Sequence, residues 1–134
     1  MKDVLFIIGS ESDRDTVKPA VDLLEEKGLE FDLHVFSAHR NLPELMSFLD
    51  AEAGGYRVLI AAAGLSAALP GVVAARVSNP VIGIPLVAGA LSGMDALLSI
   101  LQLPKGIPVA TMGLGKQGVL NAVHLAERII RIPR

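Results

Sequence analysis

The chain has 134 residues, a length that suits one domain over 1–134 with a sizeable buried core. It is 51% hydrophobic and 19% charged with a net charge of −2, which excludes a disordered chain and a broad basic surface for nucleic acid, so an anion must be held by local groups. It has no cysteine, hence no disulfide or thiolate metal site, which fits a reducing cytoplasm, and no apolar run reaches the roughly 20 residues of a membrane span without Gly, Pro or charge.

Residues 4–8, Val-Leu-Phe-Ile-Ile, form a continuous apolar run, the pattern of a strand covered on both faces. Met1-Lys2-Asp3 leads straight into it, which leaves no room for a secretory signal. Gly9 allows a tight exit, and Ser12 or Asp13 can cap the helix that follows. In that helix Val17, Val21 and Leu24 share a face and Gly28 stops it. Pro19 requires that the regular helix start near Thr16 or be kinked. Over 30–36, Phe31, Leu33 and Val35 alternate with Asp32 and His34, which predicts an edge strand with His34 on a wetter face.

Residues 42–53 predict a second helix, with Leu45, Phe48 and Leu49 inward and Gly54-Gly55 ending it. A third strand over 58–63 runs into a small-residue loop over 64–69, and Pro70 reads as an early helix position. The short Ala/Val-rich helix over 71–77 can pack closely on the sheet or on another subunit, and Asn79-Pro80 breaks it. A strand over 81–86, a helix over 93–101, a turn over 104–106 and a strand over 107–112 follow. The last helix covers 116–130, with Val119, Ala122, Val123, Ala126 and Ile130 inward. Five strands alternating with five helices give an α/β fold: a three-layer, flavodoxin-like (Rossmann-like) doubly wound parallel sheet of order 2-1-3-4-5, whose edge is the second strand.

In such a sheet the first three strands end on one edge, where open α/β proteins build their sites. Gly9-Ser10-Glu11-Ser12-Asp13 offers backbone N–H groups and two hydroxyls at a helix start, a phosphate-binding pattern that is also a plain serine-rich turn. Ser37-Ala38-His39-Arg40 puts a proton carrier beside a guanidinium, or simply begins a helix with exposed charges. Gly64-Leu65-Ser66 is the third exit. Gly113-Leu114-Gly115-Lys116-Gln117-Gly118 matches G-x-G-x-x-G, but the second strand and distant acidic residue of a dinucleotide site have no chain left to occupy. Of the candidate acids Asp13, Asp95 and Glu127, only Asp13 lies at this edge, and His124 falls mid-helix.

With those residues in hand, the chain resembles the family of 5-(carboxyamino)imidazole ribonucleotide mutase and aminoimidazole ribonucleotide carboxylase, of purine biosynthesis. The first two exits, residues 63–71 and Ala90-Leu91-Ser92-Gly93-Met94-Asp95 through Leu103-Pro104 carry the likeness. Gly106-Ile107-Pro108-Val109-Ala110-Thr111, Gly115-Lys116-Gln117-Gly118 and Asn121-Ala122 extend it. The resemblance implies a flavodoxin-like fold, a homo-oligomer (an octamer in the family), a ribonucleotide substrate, and no cofactor, metal, nucleic acid or membrane. It implies decarboxylation of the exocyclic nitrogen, trapping of carbon dioxide and recarboxylation of the neighbouring ring carbon, with His39 as proton shuttle. By the same match Ser10, Asp13 and Arg40 contact substrate, as do Gly9, Ser12, Ser37, Ala38, Gly64, Leu65 and Ser66. On chemical grounds Arg40 suits the phosphate and Asp13 a ribose hydroxyl.

The chain departs from the mutase pattern in three places. Leu65-Ser66-Ala67-Ala68-Leu69-Pro70-Gly71 stands where the mutase usually has Gly-Ala-Ala-His-Leu-Pro-Gly, so Ala68 replaces a second histidine. Asn41-Leu42-Pro43 follows the arginine where Thr-Pro is usual, one residue longer. The C-terminal helical extension of most members is not in the sequence, which leaves the octamer open. The carboxylase branch also lacks the second histidine, but usually has lysine where Arg40 stands. A mutase, a carboxylase using free carbon dioxide and a non-catalytic nucleotide binder are therefore the readings, in that order.

Overall fold

The apolar runs become the strands of an entirely parallel sheet, of order β2-β1-β3-β4-β5, in a computed structural model that describes residues 1–133. The elements are β1 (Lys2–Ile8), α1 (Arg14–Glu26), β2 (Phe31–Val35), α2 (Leu42–Glu52), β3 (Tyr56–Gly64) and α3 (Leu69–Arg76). They continue as β4 (Val81–Leu86), α4 (Met94–Leu101), β5 (Ala110–Thr111) and α5 (Gly115–Ile130). Short 3-10 turns cover Glu11–Asp13 and Ala53–Gly55.

The two-residue period of the strands sorts the core into two layers. Val4, Phe6 and Ile8, with Val58, Ile60, Ile82 and Ile84, meet Val17, Ala20 and Leu24 of α1 and Val119, Val123 and Ala126 of α5. Leu5, Ile7, Leu59 and Ala61 face the other way, onto Leu45 and Leu49 of α2, Leu69 and Val73 of α3 and Ala96 of α4. Each fully buried Leu, Ile or Phe contributes ~1.5–3 kcal/mol before the entropy of ordering is set against it. Register fixes where the chain leaves the sheet. Ile8 lies opposite Val35 and Ala62, and Gly64 lies opposite Leu86, so the exits of β1, β2, β3 and β4 share one edge.

Several expectations change in detail. All five residues of β2 are half-buried, so the strand has no wet face. The His34 ring instead lies 4.6 Å from the ring of Phe48, which also meets Phe36 at 5.0 Å, because α2 covers that side of the edge strand. In α1 it is Ala20, not Val21, that completes the buried stripe. The helix starts at Arg14 and contains Pro19, whose ring nitrogen leaves the Asp15 carbonyl without a helical donor at an exposed turn where water can replace it. The fifth strand shrinks from 107–112 to two residues, paired as Ile82–Ala110 and Gly83–Thr111, since Pro108 cannot donate to the ladder.

The G-x-G-x-x-G segment has a packing explanation. Gly113 and Gly115 hold φ of +91° and +80°, and a Cβ on Gly118 would stand 2.1 Å from the Gly113 carbonyl oxygen. At the opposite edge from the exits, Tyr56 Oη donates to Asp32 Oδ2 at 2.5 Å, and Lys2 Nζ reaches the same carboxylate at 2.9 Å. The Tyr56 hydrogen bond first, and Lys2 second, hold the Asp32 carboxyl below its ordinary value. Burial, with Asp32 beside it, pushes the Tyr56 hydroxyl up to about 12.

Candidate active site

The β1 exit is a tight, self-bonded turn. Gly9 N–H donates to the Ala62 carbonyl (3.0 Å), which continues the ladder one residue past the strand. Ser10 then turns extended, and its Oγ accepts from Ser12 N–H (3.2 Å) while lying 2.8 Å from Ser12 Oγ. Ser10 therefore caps the 3-10 turn ahead of α1, while Asp13 takes the N-cap position of α1 itself. Asp13 N–H donates to the Ser10 carbonyl (3.0 Å), so two N–H groups that could have met an anion are already engaged. The Asp13 backbone is helical and its carboxylate makes no capping bond, which leaves it to line the cavity. Burial raises its pKa, opposed by the backbone hydrogen bond at Ser10.

The β2 exit displays the histidine and the arginine on one closed turn. Phe36 N–H donates to the Ile8 carbonyl, and the chain then folds so that Asn41 N–H reaches the Ser37 carbonyl (2.8 Å). The side chains reinforce it: Ser37 N–H donates to Asn41 Oδ1 and Arg40 N–H to Ser37 Oγ, each at 3.2 Å. Ala38 is buried beneath, which turns His39 and Arg40 outward, both exposed. The Arg40 guanidinium has no partner among the described residues, so both its edges are open to a ligand. Sequence reasoning treated Asn41 as part of a longer loop; its polar side chain, four residues from Ser37, was the available signal for a turn.

The β3 exit carries backbone strain. Leu65 has a φ of +56°, a left-handed conformation that costs on the order of 1–3 kcal/mol for a residue other than glycine. Ser66 follows exposed, Ala67 is buried, and Ala68 N–H closes back on the Ser66 carbonyl at 2.7 Å. A Cβ on Gly64 would lie 3.1 Å from Ala88 Cβ, so this exit packs tightly against the one after β4.

These exits enclose one cavity of about 590 Å³, within the usual range for small-molecule sites. Gly9, Ser10, Ser12 and Asp13 line it from β1, Ser37, Ala38, His39 and Arg40 from β2, and Gly64, Leu65 and Ser66 from β3. Every residue named above for the site thus lies around the same space. Ala63, Leu69 and Ala88 also line it; Ala88 was legible only as the exit of a fourth strand on the same edge. Ala68 lines it too, so the position of the absent second histidine faces this space. Arg40 is the cation of the lining, Asp13 its carboxylate and His39 its imidazole. The other ionisable candidates lie elsewhere. His124 is exposed on α5, Glu127 is held by Lys27 and Arg131, and Asp95 Oδ1 is buried on α4 without a partner among the described residues. Among the described residues no group of three or more His, Asp or Glu could hold a metal ion, and no helix is long and apolar enough to cross a membrane.

An arginine able to clamp an anion, a carboxylate and hydroxyls able to hydrogen-bond a polar ligand, and an imidazole able to carry a proton line one space. The family model described as AIR carboxylase matches residues 3–134. The chain is 47% identical over 131 residues to the N5-carboxyaminoimidazole ribonucleotide mutase of Brucella melitensis, covering 97% of this chain and 81% of that one. It is 45% identical over 128 residues to the protein of the same name from Escherichia coli K12, covering 95% and 76%. The crystal structure of Treponema denticola PurE superposes with a TM-score of 0.81 at 31% identity, covering 94% of this chain and 78% of that one. The chain belongs to the AIR carboxylase family.

Proposed function

We propose that this protein is a purine-biosynthesis isomerase that interconverts N5-carboxyaminoimidazole ribonucleotide and 4-carboxy-5-aminoimidazole ribonucleotide, with His39 as the proton shuttle. The observation that carries the reading is the convergence of Asp13, His39 and Arg40, from two separate strand exits, on one cavity of suitable size. Protonated His39 gives its proton to the exocyclic nitrogen as the N–carboxylate bond breaks, which yields carbon dioxide and the aminoimidazole. The ring carbon then attacks carbon dioxide, and neutral His39 removes the proton from that carbon, so one proton is given and one taken back. Arg40 clamps the phosphate and Asp13 accepts from the ribose, while the Ser10–Ser12 turn and Gly64 shape the floor. No cofactor or metal enters this chemistry.

The mutase is favoured over the carboxylase by Arg40 and by relatives at 43–47% identity that are named as mutases. A cytoplasmic homo-oligomer completes the proposal. Support for assembly comes from an exposed apolar strip, Val87, Leu91, Met94, Leu98 and Leu101, along α4 and the loop before it, of the kind that marks a protein interface. Direct assay decides: wild-type protein converts the N-carboxylated nucleotide without added bicarbonate. Conversion of aminoimidazole ribonucleotide with bicarbonate, and failure with the N-carboxylated substrate, makes it a carboxylase instead. Failure with both makes it a non-catalytic binder.

A further inference from the structure

We propose that Leu65 is a specificity residue: its side chain forms the apolar wall of the cavity mouth against which the flat ring of the base packs. The inference rests on the ribonucleotide reading given above. Its origin is a mismatch between strain and burial. Leu65 holds a left-handed backbone, with φ +56°, that glycine would adopt freely. Yet the residue is 56% exposed, so burial in the free protein does little to offset the strain. A strained, exposed residue lining a cavity points to a contact completed only when a ligand arrives.

The neighbourhood suits a ring. A Cβ added at Gly89 would meet Leu65 Cδ2 at 2.8 Å, and Gly89 itself has a φ of +80°, so the leucine is braced from behind by a bare backbone on the loop after β4. The other alkyl groups of the lining are small or buried: Ala38, Ala63 and Leu69 are at most 9% exposed, and Ala68 and Ala88 offer one methyl each. Leu65 is therefore the large apolar surface open to a ligand there, while Ser10, Ser12, Asp13 and Arg40, assigned above to sugar and phosphate, line the cavity from the β1 and β2 exits.

The test compares Leu65→Gly and Leu65→Ala with wild type, measuring affinity for aminoimidazole ribonucleotide and for ribose 5-phosphate by calorimetry. Melting temperature, light scattering and wild-type turnover are measured in parallel. Both variants should lose ~3–10-fold in nucleotide affinity, the scale of partial burial of one leucine, with ribose 5-phosphate unaffected. Leu65→Gly should melt above Leu65→Ala, since only glycine releases the backbone. Equal losses for both ligands, or no loss for either, overturn the proposal. So does a variant that keeps nucleotide affinity but dissociates, which assigns Leu65 to a contact between copies with Val87 and Leu91. Wild type that turns over beside variants that bind normally refutes only the role of Leu65; wild type that binds no nucleotide refutes the functional reading as well.

Discussion

Replacing Gly118 by alanine separates a packing role for the glycine-rich segment from a phosphate-binding one. Gly118 lies in the first turn of α5, where alanine would ordinarily stabilise a helix by ~1 kcal/mol. Here the new methyl would stand 2.1 Å from the Gly113 carbonyl oxygen and 2.7 Å from its carbon. The first contact is roughly 1.4 Å short of the ~3.5 Å at which nonbonded atoms attract. Both atoms are backbone, held at one end by β5 and at the other by the helix, so no side chain can swing away. Overpacking of this kind costs ~1–3 kcal/mol, and more when backbone must move, which exceeds the propensity gain. We expect a net loss of ~1–2 kcal/mol, seen as a lower urea midpoint with unchanged slope and a fall in Tm of ~3–10 °C at fixed protein concentration. Gly54→Ala is the control, with nothing within 4 Å of its Cβ and no positive φ, and should be neutral or slightly stabilising. A Gly118→Ala protein as stable as wild type would refute the reasoning, and an affinity for NAD lost in that variant would revive the dinucleotide reading.

Three other outcomes are expected. Tyr56→Phe removes the hydrogen bond that does most to hold the Asp32 carboxyl low and should cost ~0.5–1.5 kcal/mol near neutral pH. Because the Asp32 carboxyl is held low in the fold, the wild-type advantage is present above the ordinary carboxylate value and should shrink as pH falls through the folded one; urea midpoints across the acid range check this. Asp13 has the opposite sign: burial raises its pKa, so stability falls as pH rises from the ordinary value (~3.9) through the folded one. Asp13→Asn should therefore be more stable than wild type at neutral pH, lose that gain in acid and bind ribonucleotide more weakly, and equal midpoints at neutral pH would contradict it. The exposed strip on α4 predicts an even-numbered homo-oligomer, checked by light scattering across a dilution series, where a concentration-independent monomer would contradict it.

Sheet order and layers were legible because buried parallel strands read as unbroken apolar runs, and the one alternating run, Phe31–Val35, took the edge. The inward stripe of α5 was read apart from Gly118, since Val119, Ala122, Val123, Ala126 and Ile130 repeat at helical spacing over about three turns. What periodicity could not reach was set by single contacts between distant segments. His34 is drawn under Phe48 because α2 crosses the edge strand, and β5 is cut short by Pro108, a loss of one donor inside an otherwise β-like run. The site was legible as three strand exits, because topology alone brings them together. Capping by Ser10, the Ser37–Asn41 clamp and the left-handed Leu65 were not, since each is decided by backbone angles that sequence does not display.

The most direct test of the proposed mechanism is His39→Asn, assayed as conversion of carboxyaminoimidazole ribonucleotide to its carbon-carboxylated isomer and corrected for spontaneous decarboxylation. His39 is the imidazole of the cavity, and with alanine at 68 the lining holds no second one to take over proton transfer. Asparagine keeps the size and some hydrogen bonding of the side chain but cannot exchange a proton near neutral pH. The variant should fold and bind ribonucleotide as wild type does while turnover falls ~10²–10⁴-fold, the scale of losing a general acid–base group. Turnover at the wild-type rate would contradict the proposed mechanism.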